Sequence, residues 1–191
     1  MKTLLVYYSN QKNIRSLCEA SAREGEVDVL ELRERYDRGV LSAATVGSYL
    51  ASRGLGSQID PFEIDFDAYD TVILATPVWH GSPVPAVNAF LHKVDLRGRA
   101  ISGLLLYDGR HAAKAMDTLR ERVRLAGGAC RDVVCISAKE LREKNCDVFS
   151  FAKAETVLPR FSLSPQRAVE VNRRFSSENT VVYFCRKPAW A

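Results

Sequence analysis

The residues best equipped for chemistry fall in three short loops, each following an apolar run: Ser9-Asn10-Gln11-Lys12-Asn13-Ile14, Thr76-Pro77-Val78-Trp79-His80-Gly81-Ser82-Pro83 and Tyr107-Asp108-Gly109-Arg110-His111. In the second, Trp79 offers a flat apolar surface and Gly81 allows close approach, while Pro77, Pro83 and Pro85 reduce the entropy lost in holding the loop. These are the properties of a ligand-binding loop. The competing reading is a tryptophan that plugs the core or an interface. His80 is suited to donating a hydrogen bond or relaying a proton near neutral pH, or it is simply exposed. In the third loop Tyr107 either stacks on a ligand or finishes the core, and Arg110 either meets an anion or is solvated.

The elements that must position these loops follow from short apolar runs alternating with segments of helical period. Leu4–Tyr8 is continuously apolar, as expected of a central strand buried on both faces. Ile14, Leu17, Cys18 and Ser21 then keep helical spacing as far as Gly25, and Val27–Leu32 reads as a more peripheral second strand. Leu41–Leu50 reads as a helix weakened by Gly47 and ending near Gly54 or Gly56. Thr71–Ala75 is a third strand, followed by the proline-stiffened loop and a helix with Val87, Phe90, Leu91 and Val94 on one face. Ile101–Tyr107 is a fourth strand. Ala112, Met116, Leu119, Val123 and Ala126 trace another helix that stops at Gly127-Gly128, and Val133–Ile136 is a fifth strand. Repeated strand-to-helix transitions predict a doubly wound α/β sheet, in which ligands sit outside the carboxyl ends of the strands where strand order reverses. All three loops leave such ends.

Composition narrows the classes. The chain has 191 residues, 47% hydrophobic and 26% charged, which suits one globular domain and excludes collagen-like or wholly disordered chains. The net charge of +4 resides beyond Leu158, where six basic residues face Glu170 and Glu178; residues 1–158 balance to zero. A dedicated nucleic-acid binder would be far more basic. There is no G-x-G-x-x-G, P-loop or G-x-S-x-G fingerprint, and the three histidines form no metal set with nearby acids. The five cysteines include no C-x-x-C pair and read as buried thiols. The apolar run after Met1 is too short for a secretory leader and no stretch is long enough to span a membrane, so a cytoplasmic chain without membrane partners is expected. In the last segment, Ser164-Pro165 starts a helix to Phe175, and Thr180–Cys185 has strand character with no assigned neighbour.

The strand–loop segment Tyr7–Ile14, the turn Phe66–Asp70, the lead-in Asp95–Arg99 and above all Thr76-Pro77-Val78-Trp79-His80-Gly81-Ser82-Pro83-Val84-Pro85 resemble the flavodoxin family, most closely bacterial flavodoxin-like proteins with a T-P-V-W-x-G-x-P-x-P loop. The likeness covers residues 2–137 of a single domain 1–191, leaving 138–191 as a C-terminal extension. It implies a flavodoxin-like three-layer sandwich whose five-stranded parallel sheet has the order 2-1-3-4-5, with FMN bound at the tips of strands 1, 3 and 4. Carried across residue by residue, the cofactor-binding positions are Ser9, Asn10, Gln11, Lys12, Asn13 and Ile14 around the phosphate, Pro77, Val78, Trp79, His80 and Gly81 lining the isoalloxazine, and Tyr107, Asp108, Gly109 and Arg110 in the third loop. The first loop departs from the family's S/T-x-T-G-N-T: Gln11 and Ile14 replace threonines and Lys12 replaces the glycine. Backbone amides and the helix dipole survive those changes, and Lys12 or Gln11 restores a charge or a donor.

Two functions remain open at this stage. One is an FMN-dependent redox protein, either an electron carrier working with a partner protein or an oxidoreductase using NAD(P)H, with no acid–base residue required for catalysis. The other is a flavodoxin-fold protein that has lost FMN and serves as a binding or assembly module, with Thr180–Cys185 adding to a sheet edge in its own domain or in a second subunit of a homodimer.

Overall fold

The computed structural model describes residues 2–9, 14, 15, 18, 27–36, 42–108, 111–137 and 180–182. Its strands are β1 (Thr3–Tyr7), β2 (Val27–Glu31), β3 (Thr71–Trp79), β4 (Ser82–Pro83), β5 (Ala100–Tyr107), β6 (Ala129–Ser137) and β7 (Thr180–Val182). They form one sheet in the order β2-β1-β3-β5-β6-β7, every neighbouring pair parallel, with the two-residue β4 antiparallel to the end of β3. The first five strands of that path are the predicted 2-1-3-4-5 arrangement, and the fold is flavodoxin-like. β7 supplies a sixth parallel strand: Thr180 pairs with Val133 and Val182 with Cys135, so the strand-like tail segment joins the edge of its own sheet.

Alternation along the strands explains why both faces are covered. Leu4, Val6, Val72, Leu74, Ile101, Leu105, Val133 and Cys135 point into one apolar cluster, and Leu5, Tyr7, Ile73, Ala75, Leu104, Val134 and Ile136 into the other. The larger cluster is roofed by helices α2 (Pro85–Lys93) and α3 (Ala112–Leu125). Val87, Phe90, Leu91, Met116, Leu119 and Val123 are all buried there, each contributing roughly 1.5–3 kcal/mol by leaving water. Ile14 and Cys18, both helical, cover the opposite face.

Two segments differ from the sequence expectation. The stretch around Gly47 is a π-helical turn, Ala43–Gly47, running into helix α1 (Ser48–Arg53), which ends at Gly54 with φ 72°. The second loop is largely strand: β3 continues through Thr76-Pro77-Val78-Trp79 and turns back into β4. Proline lacks only the N–H donor, so Pro77 still takes a ladder position, opposite Leu106 of β5. Residues 10–13, 109, 110 and the predicted helix after Ser164 lie outside the described residues.

Candidate functional site

Strand order reverses between β1 and its neighbours, since β2 lies to one side and β3 to the other. The carboxyl ends of β1, β3 and β5 therefore meet at a topological switch point. Register makes the edge stepped. Tyr7 pairs with Ala75, and the Tyr8 amide donates to the Ala75 carbonyl at 3.1 Å, so Thr76–Trp79 overshoots the end of β1. Ser9, Trp79 to Gly81, and Tyr107 with Asp108 are brought to this one edge.

The overshoot closes as a two-residue hairpin, with Val78 paired to Pro83 and Trp79 to Ser82. His80 and Gly81 occupy its tip at φ 51° and 74°, the pair of positive values that a primed hairpin turn demands. Glycine adopts this freely, whereas histidine is strained there. His111, at the start of α3, is the other non-glycine residue with positive φ among those described, at 68°. The two imidazoles lie 6.1 Å apart, centroid to centroid. A Cβ built on Gly81 would sit 2.9 Å from Lys114 Cδ and 3.1 Å from His111 Cβ, so the tip rests directly on the first turn of α3. That turn carries no acidic side chain, and His80, His111 and Lys114 are exposed. The tip therefore presents hydrogen-bond donors and positive charge. At the base, Thr76 Oγ1 donates to the Pro77 carbonyl at 2.9 Å and accepts from the Val84 amide at 3.5 Å, tying the two arms together.

Trp79 is partly core and partly exposed. Its indole is half-buried and packs on the larger cluster, edge-on to Tyr8 at 6.0 Å, and Tyr8 in turn donates through its hydroxyl to Glu34 at 3.1 Å. A Cβ on Gly47 would lie 2.7 Å from Trp79 Cζ3, so the π-helical turn lies against the indole. The same turn and α1 expose Val46 and Tyr49.

The remaining candidates divide. Pro77 and Val78 are half-buried on the hairpin's first arm, and Tyr107 is half-buried against the larger cluster at the end of β5. Asp108 is exposed and Ser9 half-buried. The Ile14 side chain is buried in the second cluster, which leaves only its backbone for a ligand. Arg15, just past the first loop, is committed to Glu31, which Arg33 Nε also approaches at 2.8 Å; that carboxylate holds Arg15 fully charged. Asn10, Gln11, Lys12, Asn13, Gly109 and Arg110 fall outside the described residues. Burial pushes the Cys130 and Cys135 thiols up to about 11 and about 12, which makes them poor nucleophiles. Sequence reasoning gave no site role to Gly47, Lys114 or Arg122, the last of which reaches the hairpin base, and named Thr76 only within its loop. Only Thr76 carried a local signal, as part of the proline-rich motif.

No protein-family model matches the chain, and no curated protein matches it. Solved structures do. A flavoprotein in complex with FMN from Lactobacillus acidophilus NCFM superposes with a TM-score of 0.59 at 18% identity, covering 76% of this chain and 99% of its own. Its apo form gives 0.51 at 20% identity over 75% and 95%. A protein assigned as a flavoprotein from Bacteroides uniformis ATCC 8492 gives 0.62 at 15% identity over 80% and 97%. At such identities the likeness is one of fold.

Proposed function

We propose that this chain is an FMN-binding redox protein that holds the flavin at the carboxyl ends of β1, β3 and β5. The observation that carries the reading is the Trp79–Ser82 hairpin, which overshoots β1 at the switch point and sets a half-exposed indole beside a tip of hydrogen-bond donors and the Lys114 ammonium. The donor set suits the group. Trp79 offers apolar surface to a tricyclic ring, while His80, His111 and Lys114 suit a ring edge that carries carbonyl oxygens and gains electron density on reduction. Ser9, at the end of β1 and ahead of the helical Ile14 and Arg15, suits a phosphate. When bound, the flavin supplies the electron-transfer chemistry, and the chain binds it, orients it and shields it. That the complexed neighbour from Lactobacillus acidophilus holds FMN on the same fold supports the choice of cofactor. No helix among the described residues is long and apolar enough to cross a membrane.

The test is direct: add excess FMN to purified protein, remove the unbound fraction, record the visible spectrum and titrate FMN fluorescence. A yellow product with quenched flavin emission is expected. A colourless product with unquenched emission would refute flavin binding and leave the reading as a binding module.

A further inference from the structure

Arg122 lies on α3, yet its guanidinium reaches three other elements. Nη1 donates to Asn88 Oδ1 of α2 at 2.5 Å and to the Pro83 carbonyl of β4 at 3.3 Å, and Nη2 donates to the Ala51 carbonyl of α1 at 2.7 Å. Asn88 completes the clamp by donating from Nδ2 to the Leu55 carbonyl at 3.0 Å. All the acceptors are neutral. Burial alone pulls this guanidinium down to about 10, so it gives up hydration without a carboxylate in return. The compensating negative potential comes from backbone carbonyls, one of them at the carboxyl end of α1, where helical dipoles sum unfavourably for anions and favourably for a cation. A rigid fork of five donors can satisfy such a fan of acceptors; an ammonium on a flexible stem cannot.

Both routes from this fork lead to Trp79. Pro83 pairs with Val78 in the hairpin, and Ala51 belongs to α1, whose preceding π-helical turn carries Gly47 against the indole. We propose that Arg122 is the positioning residue of the ring-binding hairpin, fixing Pro83 and α1 together so that Trp79 and the His80–Gly81 turn are held in one arrangement for flavin. The role rests on the flavin reading above, and it has one readout that does not.

The chain has two tryptophans, so Trp190→Phe leaves Trp79 as the sole emitter. In that background Arg122→Met and Arg122→Lys are compared with the parent for acrylamide quenching of Trp79 without flavin, for FMN and riboflavin affinity, and for melting temperature. Arg122→Met is expected to increase quenching and to weaken FMN and riboflavin by the same factor, about tenfold or more, because only the ring site is disturbed. Arg122→Lys should fall between. Unchanged quenching and affinities, measured well below the variant's melting temperature, would overturn the proposal, as would a loss confined to FMN. Should Arg122→Met not fold, the same outcomes read on Arg122→Lys decide the matter. If the parent itself binds no flavin, the flavin reading fails separately. The quenching comparison then still rules on Arg122: an increase upholds its hold on the hairpin and no change overturns it.

Discussion

Replacing Gly47 by alanine isolates the contact between the π-helical turn and the indole. Gly47 has φ −59° and ψ −45°, ordinary right-handed geometry, so alanine introduces no backbone strain. On helix propensity alone the substitution should stabilise the protein by about 1 kcal/mol. The added methyl, however, would lie 2.7 Å from Trp79 Cζ3 and 3.1 Å from Cε3, well inside van der Waals contact. The ring cannot simply swing aside, because Tyr8 meets it from one direction and the ladder pairing with Ser82 fixes its backbone. Overpacking of this kind typically costs about 1–3 kcal/mol. The balance is a net loss of about 1 kcal/mol, or a fall of about 2–4 °C in melting temperature for a chain of this size. The assay is thermal and urea unfolding in the Trp190→Phe background, with Trp79 emission recorded alongside. A red-shifted, more quenchable Trp79 should accompany the loss, and flavin affinity should weaken with it. A variant about 1 kcal/mol more stable with unchanged emission would refute the argument, since it would mean that propensity acts and the contact does not.

Lys12→Glu should weaken FMN much more than riboflavin, which lacks the phosphate; equal effects in parallel fluorescence titrations would remove Lys12 from the phosphate site. Asp28 is held below its ordinary 3.8 by hydrogen bonds from Lys2 and Tyr69, so its contribution to stability is complete above that value and is lost as pH falls through the lowered one. Lys2, raised above 10.5 chiefly by its hydrogen bond to Asp28, loses its contribution as pH climbs through the raised value. Asp28→Asn should therefore flatten the dependence of melting temperature on pH below about 4 and above about 10, and curves parallel to the parent's at both ends would contradict the assignment.

Much of the fold was legible because periodicity and burial speak the same language. A run such as Leu4–Tyr8, apolar at every position, is only economical where both faces are covered, and the structure divides it between two clusters. The helix of α2 was equally plain from Val87, Phe90 and Leu91. Prolines misled at Thr76–Pro83: they read as loop, whereas β3 keeps its ladder through Pro77 and turns only at His80-Gly81. The motif thus read as an irregular loop where the chain forms a strand and a tight hairpin. Gly47 read as a weak point in a helix because nothing nearby in sequence reveals the indole against it. Arg122 was silent for the same reason, since its acceptors lie 34 to 71 residues away and a half-buried arginine is indistinguishable from a solvated one in a helix with a charged face.

The pairing of β1 with β3 has a thermodynamic corollary. Thr3 is registered with Thr71 and Tyr7 with Ala75, so the edge between them joins chain segments far apart in sequence and exists in no local fragment. Whatever small molecule occupies it binds only the assembled sheet, and mass action then makes that molecule part of folding. A ligand at 100 times its Kd would add about 2.7 kcal/mol to global stability, a sizeable share of what holds a typical domain together. The melting temperature of this protein should accordingly serve as a ligand detector, rising with any compound that truly occupies the switch point.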